Sequence, residues 1–478
     1  MRAARVLIPA LAVLAACSDP AAKSSAQNLP GPPLAEPARH VPGDVAAMKM
    51  SFAPVVKKAA PAVVNVYSQR VVRQRVDPFW DFFMGGGGVP RNRVEKSLGS
   101  GVLVRADGVV VTNNHVVDGM QEIMVVLSDR REFPAKVLLA DPRTDLAVLK
   151  IDAKGERLPV LAIDDREQLQ VGDLVLAIGD PFGVGQTVTN GIISAVNRTA
   201  EAGGDPSSYI QTDAAINPGN SGGALVDMDG DLIGVNSFIL SRSGTSSGVG
   251  FAIPAAMVRR VVETAVGGGS AFVRPWLGVR GQPVTSEIAR SLNLDRPQGV
   301  LVGEIYPGGP ADRAGLKPGD LILSIDNQPV DDPAGINYRV STHRPGDDVT
   351  LQIRRDKTPR SLTAKVQPPP ATPARDERVI AGRNPLEGAT VVNLSPAVAD
   401  ELGADPFAGG TEGVVVVTKV GQGYAVRAGL QPGDILRAVN GKAVRSTRDV
   451  EQAVQATSRR WQITVQRGEQ VITGNFSL

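Results

Sequence analysis

One cysteine in 478 residues, Cys17, leaves no intramolecular disulfide, cysteine-rich zinc site or iron–sulfur centre to build. Three histidines, His40, His115 and His343, are too few for a polyhistidine metal centre. Basic and acidic side chains number 51 and 49, so a net charge of +2 supplies no field for nucleic acid. No Gly-x-x-x-x-Gly-Lys-Ser/Thr stretch occurs, which excludes a P-loop and with it an internal ATP motor. No metal or other cofactor is therefore expected. Aromatics make up only 4%, whereas 52 glycines punctuate the chain, a balance that favours short strands and turns over helical bundles.

What is present begins with an address. Two arginines precede the apolar run Val6–Ala16, which is too short for a spanning helix of ~20 residues. The run ends Leu14-Ala15-Ala16-Cys17, which resembles the lipobox of bacterial lipoproteins. That resemblance implies cleavage before Cys17, lipidation of its thiol and a membrane-anchored protein outside the cytoplasm. Residues 1–17 are thus read as a signal peptide. Residues 18–50, rich in Pro, Ala and Ser without apolar periodicity, are read as a disordered tether that contains His40.

Residues 51–266 carry short Val/Ile/Leu runs, such as Gly101–Val104, Val109–Thr112, Ile123–Leu127 and Leu174–Ile178, separated by Gly, Asp and Asn. Their spacing predicts an all-β barrel or sandwich. Ala255–Val266 has helical spacing after Pro254 and closes the block, and Gly267–Ser270 reads as a joint. An internal repeat follows. Arg-Ala-Gly-Leu-Lys-Pro-Gly-Asp at 313–320 returns as Arg-Ala-Gly-Leu-Gln-Pro-Gly-Asp at 427–434, each leading into an apolar strand and then a turn pair, Asp326-Asn327 or Asn440-Gly441. The repeats are placed at 274–367 and 384–478, with a stiff Pro-rich linker at 368–383.

These repeats resemble PDZ domains, in which a peptide strand adds to a sheet edge and its carboxylate meets a loop of backbone amides. The matching loop is Trp276-Leu277-Gly278-Val279 in the first copy and, more loosely, Leu386–Ala389 in the second.

The chemistry is concentrated in the first block. Thr112–Val117 contains His115, Asp141–Leu149 contains Asp141 and Asp145, and Gly219–Gly223 reads Gly-Asn-Ser-Gly-Gly around Ser221. A serine hydroxyl becomes a nucleophile when an imidazole accepts its proton, and the imidazole needs a carboxylate to fix its tautomer. Asp145 is preferred over Asp141 because it adjoins the Leu-Ala-Val run that would fix its geometry. Glycines around Ser221 let N–H groups of the Gly219-Asn220-Ser221 turn converge as an oxyanion hole. The chain order His115, Asp145, Ser221 is that of chymotrypsin-type enzymes and the reverse of α/β-hydrolases.

Together with Ala177–Gly183, Gln211–Asn217 and Gly250–Pro254, these motifs are similar to those of the HtrA/Deg family of periplasmic serine endoproteases with two PDZ domains. The resemblance spans about 51–478. It implies a mainly β fold, a chymotrypsin-like double β-barrel followed by two PDZ domains, with catalytic His115, Asp145 and Ser221. It further implies ATP-independent cleavage of unfolded or misfolded envelope proteins in the periplasm, PDZ capture of peptide C-termini, and assembly as a homotrimer or a multiple of one. A holdase chaperone with dispensable proteolysis is the alternative. Asn220 stands where zymogen-activated enzymes carry an aspartate, so activation by loop ordering is expected. The loops at 201–208 and 241–248 would serve as sensor and substrate pocket. The aromatic segment Asp77–Phe83 would contact a neighbouring subunit or a client.

Overall fold

The computed structural model describes residues 51–73, 92–165, 169–180, 185–202, 205–217, 219–239, 248–408, 414–455, 459–468 and 470–478. Cys17, His40, the segment 77–83 and most of the 241–248 loop lie outside them.

Six strands, β1 (Val63–Arg73), β2 (Asn92–Arg105), β3 (Val109–Asn113), β4 (Glu122–Val126), β5 (Glu132–Asp141) and β6 (Leu146–Ile151), close a barrel in the order β1-β2-β3-β6-β5-β4. A second barrel runs β10-β11-β12-β9-β8-β7, from β7 (Leu174–Gly179), β8 (Thr187–Ala202), β9 (Asp205–Thr212), β10 (Ala224–Val226), β11 (Leu232–Ile239) and β12 (Gly250–Pro254). Closure removes the free edge around each barrel, while β1–β2 and β8–β9 continue beyond it as two-stranded extensions. Val66, Leu103, Val110 and Leu149 fill the first barrel, while Val175, Ile193, Leu225 and Ile233 fill the second. Each such buried side chain contributes roughly 1.5–3 kcal/mol. The helix Ala255–Val266 buries Val258, Val261, Val262 and Ala265 as one stripe, and Gly267 caps it by donating to the Glu263 carbonyl.

The repeats form two further sheets. The first contains β13 (Val279–Pro283), β14 (Val300–Ile305), β15 (Leu321–Ile325), β16 (Gln328–Pro329), β17 (Asp348–Arg355) and β18 (Thr358–Lys365). The second contains β19 (Arg378–Val379), β20 (Ala389–Asn393), β21 (Val415–Val420), β22 (Ile435–Val439), β23 (Lys442–Ala443), β24 (Arg460–Arg467) and β25 (Gln470–Ser477). The shared octapeptide has the same task in each. Asp320 accepts a two-pronged bond from Arg355, and Asp434 accepts one from Arg467, with both carboxylates only 1% exposed. The same carboxylates cap the Pro-Gly turn through the N–H groups of Lys317 and Gln431. The pairing holds both guanidinium groups above their ordinary pKa.

Two segments differ from expectation. The 201–208 stretch, expected as a loop, carries ladder pairing of β8 with β9, Glu201 opposite Pro206 and Ala202 opposite Asp205, because both flanking strands continue outward. The linker at 368–383 is not a free spacer, since β19 pairs with β20 inside the second repeat's sheet.

Candidate active site

β3 ends at Asn113, and the short helix Asn114–Val117 lifts His115 to the surface, its side chain half exposed. Ser68 anchors that helix by donating its hydroxyl to the Val116 carbonyl at 2.6 Å. Asp145 precedes β6 with φ of 55°, a left-handed turn that aims its carboxylate back at the imidazole. His115 Nδ1 lies 3.0 and 2.9 Å from the two carboxylate oxygens, and the His115 N–H donates to Asp145 Oδ1 at 3.0 Å. Main-chain bonds complete the frame: Asn114 N–H and Asn113 Nδ2 both donate to the Asp145 carbonyl. With Nδ1 committed, Nε2 is the nitrogen left to accept a proton.

Asp141, the competing carboxylate, does something else. It accepts from the Thr144 N–H and hydroxyl and pairs with Arg274 at 2.5 Å, so it braces the turn that carries Asp145. Arg143 in the same turn binds Asp400 of the second repeat.

Ser221 sits in a turn built for close approach. Gly222 has φ of 84°, and a Cβ there would come within 2.1 Å of the Ser100 carbonyl. Gly99 separates the turn from the histidine helix: a Cβ on it would meet Val116 at 2.7 Å and the Ser221 carbonyl at 3.2 Å. The two halves of the site therefore share one glycine wall. Gly222 N–H donates to Asn236 O, and Asn236 N–H donates to Gly223 O, so β11 backs the serine turn. Asn220 N–H, one of the three expected oxyanion donors, instead bonds the Asn217 carbonyl at 2.9 Å to close the turn. The amides of Gly219 and Ser221 meet no acceptor among the described residues.

Two participants carry no sequence signal of their own. Ser237, inside β11, donates its hydroxyl to Asp145 Oδ2 at 2.9 Å. Ser100, inside β2 and fully buried, donates its hydroxyl to the Gly219 carbonyl at 2.6 Å and accepts from Asp180 N–H at 2.8 Å. Its own N–H holds the Ser221 carbonyl. Burial pushes the Asp180 carboxyl above its usual range, partly opposed by the Gly185 N–H.

The trypsin-like peptidase domain family matches residues 99–235, and PDZ domain families match 275–366 and 416–467. A probable periplasmic serine endoprotease DegP-like of Halomonas elongata is 40% identical over 84% of this chain and 87% of its own. The periplasmic pH-dependent serine endoprotease DegQ of Escherichia coli is 36% identical over 90% of this chain and 93% of its own. The chain is a serine protease of the HtrA family. A solved HtrA-type protease, AlgW with a decapeptide, is 45% identical, covers 67% of this protease and 99% of its own chain, and superposes with a TM-score of 0.50. The double barrel with two PDZ domains is thus the architecture of the protease.

Between the first PDZ domain, the second and the barrels lies a cavity of about 340 Å³, lined by Trp276, Leu277, Val279, Ile336, Tyr209 and Phe407 among others. Phe407 of the second PDZ domain meets Trp276 and Tyr306 at centroid distances of 6.2 and 6.1 Å. Arg280 stacks on the Phe407 ring at 4.8 Å and pairs with Asp405.

Proposed function

We propose that His115, Asp145 and Ser221 act as one nucleophilic unit that cleaves unfolded polypeptides. The observation that carries this reading is the imidazole whose Nδ1 is held by both oxygens of Asp145, across a shared glycine from the serine turn. Ser221 Oγ attacks the scissile carbonyl while His115 Nε2 takes its proton, and Asp145 stabilises the imidazolium that forms. The N–H groups of Gly219 and Ser221 receive the oxyanion, and loss of such a donor typically costs about 10²–10³ in turnover. His115 then returns the proton to the departing amine, and water releases the acyl group by the same route.

At the first PDZ domain, Trp276, Leu277, Gly278 and Val279 form the loop proposed to capture a peptide terminus. The N–H groups of Leu277 and Gly278 meet no acceptor among the described residues, and the adjoining cavity offers room for an apolar side chain. The names of the relatives support a periplasmic location. Lipid attachment at Cys17, assembly as a homotrimer or a multiple of one, and a domain division at 51–266, 274–367 and 384–478 complete the proposal.

Casein digestion by the Ser221→Ala chain tests the catalytic core. Turnover should fall by about 10⁴–10⁶, with suppression of client aggregation retained. Undiminished digestion would refute the assignment of the nucleophile, and aggregation suppression as the sole activity of the unaltered chain would favour the holdase.

A further inference from the structure

The two PDZ domains treat the same groove in opposite ways. In the first, β13 ends its sheet and, among the described residues, pairs with β14 alone, so its edge beside the helix Pro333–Ser341 is open. In the second, β20 is flanked on both sides, by β21 and by β19 from the linker. Ile380 N–H donates to Ala389 O and Gly388 N–H donates to Ile380 O, both at 2.9 Å. Further along, Asn393 N–H donates to Arg375 O at 2.8 Å. The loop amides are occupied as well: Leu386 N–H by the Asn384 side-chain oxygen, Glu387 N–H by the Asn384 carbonyl, and Gly388 N–H by Ile380. Every residue of β20 is buried.

The side chains follow a two-residue alternation. Ile380 is 3% exposed and packs in the domain core with Leu386, Val391 and Val450, whereas Val379 faces solvent. Arg378 turns to Glu451 on the helix Thr447–Gln455, and Asp376 accepts from the Thr447 hydroxyl at the start of that helix at 2.7 Å. An antiparallel strand laid beside β20, with an aliphatic side chain in the pocket and its second neighbour on the helix, is peptide recognition by strand addition.

We propose that the groove of the second PDZ domain is a working strand-binding site filled by the chain's own linker. Asp376–Ile380 is its tethered ligand, and the site selects an aliphatic residue in the pocket with a basic residue two positions before it. The proposal shares with the function above the reading that these domains capture peptide strands, and it is independent of the catalytic residues. A segment tethered this closely is present at an effective concentration on the order of millimolar. A groove of ~10 μM intrinsic affinity would then be about 99% filled, and an outside peptide would bind about 100-fold more weakly.

The probe is a fluorescein-labelled decapeptide with the sequence of residues 371–380 and a free C-terminal carboxylate. Its binding is read by anisotropy on the full chain carrying Ser221→Ala, which prevents cutting. With the linker intact, binding should be indifferent to Glu451→Arg, because only the first PDZ domain takes the probe. Asp376→Ala combined with Arg378→Ala, both partly exposed positions, should add a binding component at least 10-fold tighter at the second domain and abolished by Glu451→Arg. In that freed chain, Glu451→Arg should also shift preference to a probe with glutamate in place of its arginine at the third-last position. Ile380→Ala should free the groove further, and the double variant decides if Ile380→Ala unfolds the domain in a thermal melt. Glu451-sensitive binding to the intact chain, or binding confined to the first domain in every folded variant, would overturn this inference alone. Absence of binding to any form would overturn peptide capture at both domains.

Discussion

Ser100 has no solvent exposure; its N–H and hydroxyl hold the serine turn, while its carbonyl accepts from the Thr112 hydroxyl. Its hydroxyl proton must point at the Gly219 carbonyl, which can only accept, while its oxygen accepts from the Asp180 N–H. That bond fixes one side of a glycine whose φ is 100°, a residue otherwise free to rotate its N–H out of the oxyanion position. Ser100→Ala should therefore lower kcat about 10- to 100-fold on a chromogenic peptide with KM nearly unchanged. Affinity for a peptidyl trifluoromethyl ketone should fall in parallel. Asp180 gives a second test. A carboxyl whose folded pKa lies above its unfolded value disfavours the native state once it ionises, and contributes nothing where both states are protonated. Asp180→Asn should melt higher than the parent at pH 7, the gap closing as pH falls below ~4. Ser221 announces itself because its turn needs glycines on both sides. Ser100 and Ser237 lie in ordinary strand sequence, and only the pairing of β2 and β11 against the site reveals what they touch.

At the scale of elements, the repeated octapeptide could be read because its parts are local: glycines at φ of 81° and 75° end a helical turn, and an aspartate caps the next. Its buried carboxylate also ties the turn to a distant strand, through Arg355 in β17 and Arg467 in β24. Asp434→Ala should destabilise the second PDZ domain by about 2–3 kcal/mol, seen as an earlier unfolding step in calorimetry with the first PDZ domain unchanged. The helix Ala255–Val266 and the early barrel strands were likewise readable from periodicity alone. β19 was not: it is two residues long, sits in a Pro-rich stretch, and becomes a strand only because β20 presents an unpaired edge to it. The pairing of 201–202 with 205–206 escaped sequence reading for a related reason, since Gly, Pro and Ser suggest a loop wherever partner strands are unknown.

At the scale of the whole molecule, the turn bearing Asp145 is held by groups from both PDZ domains' side of the chain. Arg274, at the start of the first, pairs with Asp141, and Asp400 of the second binds Arg143. The mouth of the first domain's groove is roofed by Phe407 against Trp276 and Tyr306. Phe407→Ala should remove that roof and raise the affinity of the first domain for a C-terminal peptide about 3- to 10-fold, measured by titration calorimetry on the Ser221→Ala chain. No change would mean that entering peptides do not contend with this contact. The docked linker also limits how far the second PDZ domain can travel. Gln367 is held by the Trp276 N–H on one side and Pro370 by the Ala397 N–H on the other, which leaves Pro368 and Pro369 as the sole pivot. A three-residue step spans about 10 Å at most, and two prolines restrict its torsions. The pair of domains should swivel on a short, stiff axle, and any wider swing must first free Pro370 from Ala397 and Arg375 from Asn393, with β19 the last to peel away.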